Sequence, residues 1–245
     1  MKKLIFAAAA VAGMGAFALE SANVVGFQDV EAPQGSSMRT ATFQTVSGEG
    51  YDLTKIVVNG SEGMGDVVAQ TISSAGLWNG EYYYLTDAGA GVPDGWYKDG
   101  VGEAAVEEGE VVLAPGAAFS LYSDYNPLAL NVAGEVKQGA YTVEFAQGNG
   151  MVGNGTPVEV DLTAITVEGS EGMGDVIAQT ISAEGLWDGE YYYLTEDGAG
   201  VPTGWYKDGV GEVAVEEGEV ILAPGAAFSL YSDYNALTIT LPAAL

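Results

Sequence analysis

The chain has 245 residues, with 34 acidic against 7 basic side chains, no His and no Cys. Those counts exclude disulfides, thiol and imidazole chemistry, and ordinary zinc sites. They also set up a negative field that repels nucleic acid and anionic membranes and attracts cations.

The chain opens Met1-Lys2-Lys3, runs apolar from Leu4 to Phe17, and offers Ala16-Phe17-Ala18 as a small-x-small exit. A basic start, a short apolar core and a small-residue exit predict a secretory signal over residues 1–18. The run is shorter than the roughly 20 residues a spanning helix needs, and no later stretch is apolar enough to make one. Removing Lys2 and Lys3 leaves Arg39, Lys55, Lys98, Lys137 and Lys207 against 34 carboxylates, so the mature balance is 34 − 5 = 29 negative charges. A solubility role or a saline medium that screens the repulsion accounts for this charge; divalent-cation binding is the sharper alternative.

The next signal is an internal repeat. Gly60 to Asn126 matches Gly169 to Asn235 without a gap, at a constant offset of 109, with nine differences in 67 positions. The segments ahead of the matched blocks diverge but keep a common plan, in which Asp52-Leu53-Thr54 answers Asp161-Leu162-Thr163. The predicted organisation is therefore two tandem homologous domains, 19–134 and 135–245. A closing-strand pattern occurs three times, around Asn23 to Gly26, Leu128 to Gly134 and Leu237 to Leu241. The first copy either pairs within its own domain, the preferred reading, or serves as a donor strand for a neighbouring molecule.

Inside each copy the grammar is β. Leu77-Trp78-Asn79-Gly80-Glu81-Tyr82 predicts a hairpin with a type I′ turn at Asn-Gly, and Asp188-Gly189 repeats it. Asp99-Gly100, Glu108-Gly109 and Pro115-Gly116 add further turns. Gly63 to Ser74, with Asp66 to Ile72 at its centre, is read as strand because Val, Thr and Ile dominate it, against a short helix capped by Asp66. In Ala118 to Ser123, Phe119 and Leu121 share one face while Ser120 and Tyr122 share the other. Short runs, frequent Gly and regular turns predict an all-β chain, with an antiparallel β-sandwich or small β-barrel in each copy.

Ser21-Ala22-Asn23-Val24-Val25-Gly26-Phe27, Gly65-Asp66-Val67-Val68, Tyr82-Tyr83-Tyr84, Gly95-Trp96, Pro115-Gly116-Ala117-Ala118-Phe119 and Gly134-Glu135-Val136 together resemble a family of uncharacterised secreted bacterial proteins. The resemblance implies export and this domain plan. It carries no activity.

Two sets of candidate site residues follow. Trp78, Trp96 and Tyr97, repeated as Trp187, Trp205 and Tyr206, are rings that stack on sugar faces if exposed, or fill cores if not. Packing is the preferred reading for any one ring, and Trp96 and Trp205, in Gly-rich loops, are the first candidates for exposure. Asp94, Asp99 and Glu103 in the first copy and Asp197, Asp208 and Glu212 in the second are acidic loop positions, although Asp94 itself becomes Thr203. A solvated loop is the preferred reading and calcium the alternative, since neither stretch spells the regular Asp-x-Asp-x-Asp-Gly loop. No spacing picks out a catalytic carboxylate pair. The leading reading is a secreted, non-enzymatic structural or adhesive protein, located in the periplasm, at the cell surface or outside the cell. The alternative is a carbohydrate-binding protein, calcium-assisted or not. Polysaccharide or the protein itself is the expected partner, and no organic cofactor is expected.

Overall fold

The computed structural model describes residues 25–40, 50–61, 67–72, 78–98, 104–113, 116–123, 125–136, 139–170, 176–181, 187–208 and 213–243. The expected signal and Asp66 lie outside them, as do Asp99, Glu103 and Glu212. The chain is all-β. Its N-terminal half holds β1 (Val25–Ala32), β2 (Gly35–Thr40), β3 (Tyr51–Asp52), β4 (Val57–Asn59), β5 (Val67–Ile72), β6 (Trp78–Leu85), β7 (Gly95–Lys98), β8 (Val112–Leu113), β9 (Ala118–Ser123) and β10 (Leu128–Glu135). The C-terminal half repeats the series as β11 (Tyr141–Phe145), β12 (Gly148–Gly153), β13 (Val160–Asp161), β14 (Thr166–Glu168), β15 (Val176–Ile181), β16 (Trp187–Leu194), β17 (Gly204–Lys207), β18 (Ile221–Leu222), β19 (Ala227–Ser232) and β20 (Leu237–Leu241).

Strand order is the same in both halves. A five-stranded antiparallel sheet runs β2-β9-β5-β6-β7, and its counterpart runs β12-β19-β15-β16-β17. A three-stranded sheet runs β1-β10-β4, matched by β11-β20-β14. Among the described residues none of the sheets closes into a barrel, so of the two predicted architectures the layered one is found. Period-two alternation explains the layering. Leu128, Leu130 and Val132 of β10 meet Phe119 and Leu121 of β9, Tyr84 of β6 and Trp96 of β7 in one buried cluster. The second cluster is built likewise from Leu237, Ile239, Leu241, Phe228, Leu230, Tyr193 and Trp205. Burying each such side chain contributes roughly 1.5–3 kcal/mol.

Two expectations are settled by strand pairing. The N-terminal closing-strand copy, from Val25 onward, is not spare. It lies along β10 of its own half, from Val25 opposite Glu135 to Ala32 opposite Leu128. Asn79-Gly80 is not the hairpin turn. Gly80 stands opposite Thr71 and Trp78 opposite Ile72, so Asn79 is the extra residue where the β5–β6 register shifts. Asp188-Gly189 does the same on β16. An Asn-Gly or Asp-Gly pair suits a bulge for the reason it suits a turn, since Gly tolerates backbone that other residues avoid.

The halves touch. Ala117 bridges Val152 across them, and the Gly153 N–H donates to Gly116 O at 2.9 Å. Ala118, Ala227 and Met151 form a small buried cluster of their own. By strand alternation Ala118 falls on the face of β9 that carries Tyr122, away from its core. It is fully buried because the other half covers it.

Candidate functional site

The two tryptophans that are the first candidates for exposure lie in the cores, as the packing reading has it. Trp96 and Trp205 are each 3% exposed. Each indole N–H donates to a backbone carbonyl 40 residues away, Trp96 to Ile56 O at 2.9 Å and Trp205 to Ile165 O at 2.8 Å. Each ring also meets a tyrosine edge-on, Tyr84 at 5.2 Å and Tyr193 at 5.1 Å between centroids. Such a T-shaped pair adds about 0.5–1.5 kcal/mol beyond burial. The Gly-rich loop is therefore the approach to a short strand, and the strand turns the ring inward. Tyr97 and Tyr206 are buried as well, their hydroxyls donating to Pro93 O at 2.8 Å and Pro202 O at 2.6 Å. Trp78 and Trp187 are placed by register alone, opposite Ile72 and Ile181.

The acidic positions divide in the same way. Asp94 is exposed, but its Oδ1 accepts the Asp87 N–H at 2.7 Å and so closes the loop around the helical turn α1 (Asp87–Ala90). In the second copy Thr203 stands at that position, and its Oγ1 accepts the Glu196 N–H at 3.2 Å. A neutral hydroxyl does the same work, so the charge of Asp94 is not what the position requires. Asp197 is exposed in the first turn of α2 (Glu196–Ala199). Asp208 is exposed at the end of β17, and its N–H donates to Glu190 O at 3.1 Å. Burial and then the Asp208 carboxylate hold the Tyr192 hydroxyl above its ordinary value. Among the described residues, no group of three or more acidic side chains is placed to share one metal ion.

Two carboxylates with several protein partners each are ones the sequence marked only as part of the repeat plan. Asp52 Oδ1 accepts the Thr54 N–H at 2.9 Å and its hydroxyl at 2.8 Å, while Oδ2 accepts the Gly109 N–H at 2.5 Å. Asp161 repeats the arrangement with Thr163 and Gly218. Burial pushes the Asp161 carboxyl up, but the hydrogen bonds from Thr163 and Gly218 outweigh it and hold the group below its ordinary value.

A row that includes several tyrosines crosses the five-stranded sheet. Tyr122 stands opposite Ser36 and Val68, Val68 opposite Tyr83, and Tyr83 opposite Tyr97. Residues directly opposite share a face, and here it is the face away from the core. The C-terminal half repeats the row as Asn149, Tyr231, Ile177, Tyr192 and Tyr206. The row grades from exposed Tyr122 (44%) through half-buried Tyr83 to buried Tyr97. Tyr125 and Tyr234, just past the strands, are 61% and 62% exposed. The alternation of Ala118 to Ser123 marks Tyr122 as outward, but nothing local shows that β9, β5, β6 and β7 lie side by side.

A depression of about 510 Å³ opens at one end of the three-stranded sheet of the N-terminal half, lined by Glu31, Pro33, Asn59 and Leu128 among others. Its carboxamide at Asn59 donates to Asn131. No family model, no curated protein and no solved structure matches this chain.

Proposed function

We propose that this is an exported, acidic, non-enzymatic protein with a structural or adhesive role at the cell surface or outside the cell. The observation that supports the reading is how the repeated, chemistry-bearing side chains are used. Trp96, Trp205, Tyr97, Tyr206, Asp94, Asp52 and Asp161 all hold backbone to backbone through their polar atoms. A repeat kept for catalysis would instead aim such groups into a cleft. The test is antibody labelling of intact producing cells, combined with attachment and envelope-integrity assays on a deletion strain. Surface labelling with loss of attachment or integrity is expected. Protein found only inside cells, or a deletion strain unchanged in both assays, overturns the proposal.

The tyrosine rows favour a second reading, binding of a polysaccharide. Adjacent strands lie about 4.8 Å apart, so Tyr122 and Tyr83, two strands apart, offer rings at a regular spacing along one face. Two such rows on one chain would add avidity on a polymer. The surrounding carboxylates select against anionic glycans. Pull-downs on neutral and cationic polysaccharides, comparing wild type with Tyr122→Ala/Tyr231→Ala, test it. Retention lost in the double variant supports the reading, and no retention of wild type on any of them overturns it. Calcium assistance belongs to this reading, with Asp94, Asp99, Glu103, Asp197, Asp208 and Glu212 as its residues. A native-state ligand must raise the melting temperature, so equal melting in calcium and in chelator removes that part.

A further inference from the structure

The contact between the halves is reciprocal. Gly116 and Gly225 are equivalent, 225 − 116 being the repeat offset of 109, and both have positive φ, 73° and 75°. A methyl group built on Gly116 would overlap Val143 of the other half. One built on Gly225 would lie 2.6 Å from Val30 Cγ1, again in the other half. Val30 and Val143 are themselves equivalent. Val30 stands opposite Leu130 and Val143 opposite Ile239, and 239 − 130 is again 109. The turn of each half therefore sits on the first strand of the other.

Three further contacts obey the same exchange. Strand β12 touches β9, and its counterpart β2 touches β19. Strands β2 and β12, which are each other's counterparts, also touch. The buried cluster of Ala118, Ala227 and Met151 joins an equivalent alanine pair. Met151 stands opposite Ser229 as Met38 stands opposite Ser120, so these methionines correspond too. A head-to-tail stacking of repeats would place one surface of the first half against a different surface of the second. Here the same surface is used from both sides, which is the mark of an isologous, two-fold contact.

We infer that this surface is a self-complementary dimer interface carried twice in one chain, and that the partner it fits is a second copy of the same half. The chain is a fused dimer. Its two pairing surfaces saturate one another, so the pairing closes at two halves and offers no site for a third. Whenever the halves part, each surface accepts a half from another chain.

The test uses the full protein with a protease site inserted between Lys137 and Gln138. After cleavage, the cut chain is unfolded in urea, refolded, checked by near-ultraviolet circular dichroism and weighed by native mass spectrometry. The halves differ in mass, so the possible pairs are distinguishable. Like pairs of each half are expected beside the mixed pair. Folded monomers, or the mixed pair alone, overturn the inference. Should the cut chain refold poorly, the uncut chain answers through Ala118→Glu and Ala227→Glu. A two-fold contact makes the two single variants lower the urea midpoint equally. A drop at one site only overturns the inference.

Discussion

The two halves agree almost perfectly over one stretch and hardly at all over another, and the boundary between the two regimes follows the fold. The matched blocks, 60–126 and 169–235, supply β5 to β9 and β15 to β19, the outward tyrosines, and the turns that cross between halves. The diverged segments supply β1 to β4 and β11 to β14, which form one edge of the larger sheet and two of the three strands of the smaller one. The outer face of the smaller sheet shows what this divergence permits. In the N-terminal half Asn131 donates to Asp29 and accepts from Asn59. In the C-terminal half Thr142, Thr240 and Thr166 stand in one row, with Glu144, Thr238 and Glu168 in the next. Both sets satisfy a solvated sheet face through cross-strand polar pairs, so neither sequence is required by the fold.

One difference is structural. Strand β10 continues to Glu135 beside a long β1, whereas β4 covers only Ala129 to Asn131 on its other side. Tyr51 closes that gap. Its hydroxyl donates to Ala133 O at 2.9 Å and accepts the Ala133 N–H at 3.1 Å, standing in for a strand. The equivalent of Tyr51 is Val160 and the equivalent of Ala133 is Pro242, which has no N–H to offer, so this bond pair has no counterpart there.

The largest expected effect tests what the halves share. Trp96→Ala and Trp205→Ala should each destabilise by about 3–5 kcal/mol, as removal of a buried indole does. The loss should fall on the half that carries the substitution, read by urea unfolding with hydrogen exchange resolving the halves. A mild effect at either site would return that ring to the surface. Tyr51→Phe should cost about 1–3 kcal/mol by stranding two backbone groups of Ala133. The exchange rate of the Ala133 amide is the direct readout, and an unchanged rate would remove the strand-mimic role.

Acid should weaken the Asp161 turn. A carboxyl lowered in the folded state adds stability above its unfolded value near pH 4. That contribution disappears as pH falls through the folded value. Asp161→Asn should therefore flatten the fall of the urea midpoint on acidification through that window. A fall as steep as wild type would show that other carboxylates govern acid stability. The smallest effect is expected from Asp94→Thr, within about 0.5 kcal/mol, because Thr203 already makes the same bond in the second copy. A large loss would mean that the charge of Asp94 has a task the structure does not display.

Much of this layout is legible locally. Phe119 and Leu121 are buried and Tyr122 exposed, as simple alternation requires, and Val67–Ile72 is a strand, as its β-branched residues suggest. The failures share a cause. Trp96 points inward because Ile56 O, 40 residues earlier, receives its N–H, and no window around Gly95 contains that fact. Asn79-Gly80 has the composition of a turn, but the register of β5 makes it a bulge. The contact between halves depends on Gly116 and Val143 coming together, and a repeat in sequence says nothing about whether copies meet head-to-tail or face each other.

The direct measurement of that contact is a disulfide. The protein has no cysteine, so Ala117→Cys/Val152→Cys creates a single possible bond, between residues that bridge the halves as antiparallel strand partners. Such partners lie about 4.5–5.5 Å apart at Cα, inside the range a disulfide spans. The fused-dimer account predicts that the bond forms within one chain on folding in oxidising buffer, and that the counterpart pair Arg39→Cys/Ala226→Cys forms it equally. Two free thiols in folded, oxidised Ala117→Cys/Val152→Cys protein would contradict it.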